Sequence, residues 1–268
     1  MNTPEQQLTR LIALMAMLRS ANGCPWDRRQ THGSLVPYLI EEAYEVVDAI
    51  ERGLDPALCE ELADVALQLV FHAQIAAERN AFTLEDVLRA CAEKLVRRHP
   101  HVFQPDQQPS ARPLSADDVS ARWDELKRRE QPPRESAVAG VPVVLPALSR
   151  AQKVQSRAAQ VGFDWPDHAG ILDKLDEEVT ELRDALGAEP DRVADELGDV
   201  LFTVVNLARA RGIDAETALR GSTARFIARF ERMERMASRS LETLSPAEWD
   251  ALWRAAKASE RAPDSDGG

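Results

Sequence analysis

Cysteine is scarce: Cys24, Cys59 and Cys91 are the whole complement of a chain of 268 residues. An odd set without Cys-x-x-Cys supports neither a disulfide framework nor a thiolate zinc site, and it suits a reducing cytoplasm. Aromatic residues are few as well, seven Phe, five Trp and two Tyr, and glycine numbers only 12. Runs rich in Ala, Leu, Glu and Arg favour helices over a strand-rich sandwich or barrel. Positive charge is in deficit, with 33 Lys and Arg against 45 Asp and Glu and a formal net charge of −12. A nucleic-acid-binding surface wants the opposite balance, so nucleic acid is not expected as a partner. No window reaches the ~18 apolar residues of a membrane span. The stretch Leu11–Leu18 lacks a convincing cleavage site and reads as an amphipathic helix rather than a targeting signal. What is present, 44% hydrophobic residues, is enough to build a core.

The chain repeats itself. Glu41-Glu42-Ala43-Tyr44-Glu45 returns as Glu177-Glu178-Val179-Thr180-Glu181, and Glu61-Leu62-Ala63-Asp64 returns as Glu196-Leu197-Gly198-Asp199. Further on, Lys94 and Arg98 match Arg225 and Arg229, and Trp123 with Lys127 matches Trp253 with Lys257. The order never changes and the offset drifts one way, as loop-length differences would make it. This is an internal duplication. Two helical domains are expected, over residues 1–131 and 146–260. Residues 132–145 form a Pro-containing connection between them, and 261–268 a polar, disordered tail.

Apolar residues at Val36, Leu39, Ile40, Ala43, Val46, Val47 and Ile50 follow a helical period, with Glu42 and Glu45 beside the stripe. The next helix is expected to bury Leu58, Leu62, Val65, Leu69 and Ile75, with Glu61 and Asp64 alongside. The second copy sets Glu178 and Glu181 beside Leu175, Val179 and Leu182. Its partner helix sets Glu196 and Asp199 beside Leu197, Val200, Leu201, Val204 and Val205. Packing two such helices together gathers four carboxylates per copy, a repulsive arrangement that a hard cation relieves. Oxygen-only ligation favours Mg²⁺. A di-iron bundle would need Glu-x-x-His, and no histidine, His72 included, falls in register. His99-Pro100-His101 reads as a turn rather than a metal site. Lys174, Arg225, Arg229 and Lys257, with Trp253, add the cations that hold a polyphosphate beside a metal.

These residues resemble a known family. Cys24-Pro25-Trp26-Asp27, the two acidic pairs, Arg97-Arg98-His99-Pro100-His101-Val102-Phe103 and Val161-Gly162-Phe163-Asp164-Trp165 are similar to the MazG nucleoside triphosphate pyrophosphohydrolases. The resemblance spans nearly the whole chain outside the Pro-rich loops and the tail. It implies an all-α fold of tandem MazG-like helical bundles, a homodimer, and Mg²⁺-dependent hydrolysis of NTPs and dNTPs to the monophosphate and pyrophosphate. It further implies that Glu178, Glu181, Glu196 and Asp199 hold metal and carry the catalysis, while Lys174, Arg225, Arg229, Trp253 and Lys257 contact nucleotide. Glu177 is a candidate for assisting the attacking water or holding a second metal. On the same resemblance, Glu42, Glu45, Glu61 and Asp64 are expected to form a secondary metal site. There Tyr38 stands in the place of Lys174 and Phe71 in that of Asn206, so the C-terminal copy is expected to be the active one. The alternatives are a non-catalytic metal- or partner-binding helical module, or a base-selective dUTP or dCTP pyrophosphatase.

Overall fold

The computed structural model describes residues 3–53, 55–104, 115–116, 118–119, 122–123, 126, 130 and 135–259. Among these the secondary structure is entirely helical. The chain divides into two compact units, Met1–Gln131 and Pro132–Gly268. The tail at 261–268, most of the loop at 104–113, and Lys127 lie outside the described residues.

In the first unit the helices are α1 (Pro4–Arg19), α2 (Pro25–Arg29), α3 (His32–Arg52), α4 (Asp55–Glu78), α5 (Leu84–Arg98) and α6 (Pro100–Phe103). Hydroxyl N-caps start three of them. Thr3, Thr31 and Thr83 each accept from the backbone N–H three residues on, and the side chain of that residue reaches back to close a capping box. Gly53 ends α3 in the left-handed region at φ 66°, where its N–H meets the carbonyls of Ala49 and Ile50. So short a connection sends α4 back along α3, and these two make the main helix pair of the unit. Its core joins Met15, Leu35, Val70, Phe71, Ala73, Ile75 and Leu84.

The second unit contains α7 (Ala147–Ala159), α8 (His168–Ala185), α9 (Pro190–Ala210), α10 (Ala215–Met236), a 3-10 turn (Leu241–Thr243) and α11 (Pro246–Ser259). Asp167 and Asp214 cap α8 and α10 through Gly170 and Thr217. Here α8 and α9 are the main pair, with α7 against α9. Residues 135–145, expected as a mere connection, fold onto this unit. Arg157 donates to the Ala139 and Gly140 carbonyls, and Val138 lines the cavity described below.

The expected core stripes need correcting. Val36, Leu39, Ile40 and Ile50 are exposed, as are Leu62 and Leu69, and likewise Leu197, Leu201 and Val204. Ile75 and Val205 are buried as expected, but the core otherwise takes neighbours such as Leu35, Ala49, Val70 and Phe71. The helix pairs are apolar on more than one face. Periodicity finds both faces and cannot tell which one the rest of the unit covers.

Candidate active site

Spacing on α8 and α9 explains the site. Lys174 and Glu178 are one turn apart on α8, and Asp199, Thr203 and Asn206 climb α9 at steps of four and three. Packing the two helices brings ligand atoms of Glu178, Glu196 and Asp199 within 4.8 Å of one another. Glu178 is only 5% exposed. A carboxylate so buried needs a countercharge, and Lys174 Nζ stands 2.8 Å from its Oε1. The same Nζ donates to Glu177 Oε1 at 2.7 Å. Hydrogen bonds to Glu177 and then Glu178 raise the Lys174 pKa above that of an ordinary lysine. Glu196 also faces Arg192 at 4.0 Å.

Lys174, Glu178 and Asp199 open into a cavity of about 720 Å³ whose lining includes Gln155, Phe163, Trp165 and Asn206. Gly162, at φ 90°, turns the chain after α7 so that Phe163, Asp164 and Trp165 reach it. Arg209, also in the lining, is held by both carboxylate oxygens of Asp164 and donates from Nε to Asn206 Oδ1 at 2.9 Å. The Arg209 hydrogen bonds hold the Asp164 carboxyl below the usual carboxylate range.

The remaining anticipated residues lie elsewhere. Glu181 is exposed and outside the close trio, and exposed Glu177 turns to Lys174. Arg225, Arg229, Trp253 and Lys257 belong to α10 and α11 and do not line the cavity. Arg229 lies 4.8 Å over the Trp253 ring, which packs against Phe226 at 5.4 Å beside a groove of about 270 Å³. Arg225 and Lys257 are exposed. Reading residues singly missed Gln155 and the Asp164–Arg209 pair. Only the Val161–Trp165 motif marked this part of the wall, and nothing in spacing ties Asp164 to a residue 45 positions on.

The first unit repeats the acids in another setting. Ligand atoms of Glu42, Glu45 and Glu61 lie within 4.8 Å of one another, with Asp64 outside that trio. Burial first, then Asp64 and Glu45, push the Glu42 carboxyl up, against a hydrogen bond from Gln68. Burial and then the charges of Glu45 and Asp64 likewise raise that of Glu61. Tyr38 turns its ring edge to Trp26 at 6.0 Å. Phe71 is core, with the Arg19 guanidinium 5.4 Å from its centroid. The arginine-on-tryptophan stack recurs as Arg98 over Trp123 at 5.5 Å, with Arg98 also 2.6 Å from Glu130. His32 and His72 stack on each other, Nδ1 to Nδ1 at 2.8 Å, and burial lowers the His72 pKa. His99 bonds to the Leu95 carbonyl at the end of α5, a helix-terminal role.

Both trios offer oxygen donors only. In the second unit Lys174 pairs with Glu178 alone of the three and Arg192 reaches Glu196 only at 4.0 Å, a gathering of carboxylate oxygens that a hard divalent cation fits.

The second unit is an all-α scaffold that lines a cavity with helix-borne carboxylates and a lysine, and comparison with known proteins shows its family. The MazG nucleotide pyrophosphohydrolase domain matches residues 30–103 and again 167–233. The nucleoside triphosphate pyrophosphohydrolase/pyrophosphatase MazG of Thermotoga maritima is 45% identical over 251 residues, covering 92% of this chain and 94% of the relative. The nucleoside triphosphate pyrophosphohydrolase of Escherichia coli K12 is 44% identical over 243 residues, 88% of this chain and 90% of its own length. That of Mycobacterium tuberculosis is 32% identical over 250 residues, 92% of this chain and 69% of its length. The chain belongs to the MazG family of nucleoside triphosphate pyrophosphohydrolases, in the all-α NTP pyrophosphohydrolase superfamily.

Proposed function

We propose that the chain is a Mg²⁺-dependent hydrolase that cleaves NTPs and dNTPs between the α- and β-phosphates, releasing a nucleoside monophosphate and pyrophosphate. The observation that carries this reading is the carboxylate trio of Glu178, Glu196 and Asp199, of which Glu178 and Asp199, together with Lys174, line a nucleotide-sized cavity. Those three acids would hold the metal, with Glu181 one turn beyond Glu178 able to join them. When bound, Mg²⁺ supplies Lewis-acid neutralisation of the phosphates. Lys174 is a full cation at neutral pH and offers charge-assisted hydrogen bonds to phosphate oxygens. Glu177, now bound to Lys174, is freed to orient a water when phosphate takes the lysine. In the overall reaction, that water's oxygen forms a new bond to the α-phosphorus as the α–β bridging bond breaks. The water proton leaves with the carboxylate or solvent, and the electron pair leaves with pyrophosphate.

Arg225, Arg229, Trp253 and Lys257 are proposed as further nucleotide contacts, reached through movement of α10 and α11 or through a second copy of the chain. The apolar stripes left exposed on α3, α4 and α9 support a homodimer. The scarcity of cysteine supports a cytoplasmic setting; no described helix is long and apolar enough to cross a membrane.

Incubation of the purified chain with ATP and Mg²⁺ in ¹⁸O-water tests the reading. AMP carrying the label and unlabelled pyrophosphate are expected, and chelation stops the reaction. ADP and orthophosphate as the primary products would overturn it.

A further inference from the structure

The proposed reaction uses the carboxylates and Lys174 and leaves part of the cavity wall without a role. That part combines apolar side chains, among them Val154, Ala158, Phe163 and Trp165, with two amides, Gln155 and Asn206. Gln155 is only 7% exposed. Its Nε2 donates to the Phe202 carbonyl at 2.8 Å, and its Oε1 has no hydrogen-bond partner. A carbonyl can only accept, so chemistry fixes which end of the amide faces Phe202 and leaves Oε1 as the unsatisfied acceptor. A buried acceptor without a partner is costly, and the cost disappears when a ligand N–H meets it.

Asn206 lies one helical turn beyond Phe202 on α9 and is fixed in the complementary sense. Arg209 Nε donates to its Oδ1 at 2.9 Å, and Arg209 is itself held by Asp164. An arginine can only donate, so Oδ1 must face it and the Nδ2 amide is left as a donor. The cavity lining thus contains Gln155, whose buried Oε1 is an oriented acceptor without a partner, and Asn206, whose Nδ2 is an oriented donor, among apolar and aromatic side chains. That is the chemistry that recognises a nucleobase edge, with stacking surface for the ring and a matched pair of polar groups for its rim.

We infer that Gln155 and Asn206 read the nucleobase of the substrate. The Gln155 carbonyl accepts from a base N–H, and the Asn206 amide donates to the adjacent ring nitrogen or carbonyl. Adenine and cytosine supply an exocyclic amine next to a ring nitrogen; guanine and uracil supply a ring N–H next to a carbonyl. Every common base therefore satisfies the pair, and a base stripped of its donor does not. The first unit cannot do the same, because the position of Asn206 is Phe71, which is packed in its core. This inference rests on the nucleotide reading above and extends it to the base.

The test compares adenine with purine, which lacks the exocyclic amine but keeps the ring. Rates are measured for ATP and purine riboside triphosphate, and equilibrium binding of AMP and purine riboside 5′-monophosphate is measured by calorimetry, using the full chain. Wild type is expected to favour adenine by roughly tenfold or more in both measurements, the scale of one buried hydrogen bond. In Gln155→Met the preference falls to within about twofold, while circular dichroism shows a retained fold. Wild type that hydrolyses both substrates without preference overturns the inference and spares the proposed reaction. So does a preference that survives in Gln155→Met. Should that variant fail to fold, the wild-type comparison still decides. Absence of hydrolysis with every triphosphate overturns the underlying reading instead.

Discussion

In the second unit Lys174 stands 2.8 Å from buried Glu178, whereas the same position in the first unit is Tyr38, turned edge-on to Trp26. The difference extends up the following helix. Asn206 lines an open cavity, while Phe71 closes the equivalent place into the core formed with Met15 and Leu35. The acids themselves are kept in both copies. One consequence is electrostatic: Glu42 and Glu61, with no lysine among them, have their carboxyls pushed up by burial and by their acidic neighbours. If Lys174 meets phosphate and the cavity meets the rest of the nucleotide, as proposed, two substitutions are expected to cost the first unit its substrate while leaving its ligand set in place.

The largest effect that can break this comparison comes from the acids. Glu178→Ala with Glu181→Ala is expected to lower kcat by about a thousandfold, the scale of removing a main electrostatic stabiliser of a transition state. Glu42→Ala with Glu45→Ala should leave turnover within about twofold, a change that one small energetic term accounts for. Steady-state hydrolysis of dNTP measures both, with oligomeric state checked by light scattering because loss of a dimer would mimic loss of catalysis. A dead, folded N-terminal variant would place the active centre in the other half of the chain. Glu178→Ala or Asp199→Ala alone should act in the same direction, and added zinc should not substitute for magnesium.

A smaller effect sharpens the comparison by converting one unit toward the other. Lys174→Tyr gives the second unit the first unit's residue while keeping every carboxylate. A charge-assisted hydrogen bond is worth roughly 1.5–3 kcal/mol, so nucleotide affinity should fall about 10- to 100-fold. Metal affinity measured without nucleotide should hold or rise, because Lys174 no longer competes for Glu178. If KM for dNTP is unchanged, the lysine serves only to neutralise Glu178.

Much of this was legible in the sequence, for reasons that differ by residue. Repeated Glu-x-x-Glu and Glu-x-x-Asp spacings place carboxylates on helix faces, and face is a property that spacing carries directly. Thus Glu178, Glu196 and Asp199 do converge, as do Glu42, Glu45 and Glu61. The burial pattern was less legible because the α3–α4 and α8–α9 pairs are apolar on more than one face. Leu35 and Val205 went inward while Leu62 and Leu201 did not. Long-range pairs were not legible at all. Asp164 meets Arg209, and Gln155 meets the Phe202 carbonyl, through the packing of separate helices. Trp253 shows a further limit: its match to Trp123 marks a repeated arginine stack, but the stack alone does not say whether the ring faces a nucleotide.

The smallest expected effect concerns the ion pairs that tie the end of α1 to α4 and the segment after α7 to α9, which have opposite polarity in the two units. In the first, Arg19 at the end of α1 pairs with Glu78 at the end of α4 at 2.7 Å. In the second, the acid follows α7 as Asp164 and the arginine lies near the end of α9 as Arg209. Hydrogen bonds from the arginine hold each carboxyl below its ordinary range. A depressed carboxyl binds its proton at lower pH in the folded chain than in the unfolded one. Its contribution to stability is therefore complete above the ordinary carboxylate range and is lost as pH falls through the depressed folded value. Asp164→Asn removes this contribution from the second unit alone. At pH 7 the variant should melt below wild type, and the two melting curves should converge as pH drops below about 4. Thermal unfolding followed by circular dichroism from pH 7 to 3.5 checks this. A constant offset across that range would mean that the pair contributes no pH-linked stability. The same variant bears on the cavity, because Arg209 loses the anion that aims it at Asn206. Its preference for adenine over purine at pH 7 should weaken, though less than in Gln155→Met. Asp164 reaches the base only through two intervening side chains, while Gln155 meets it directly.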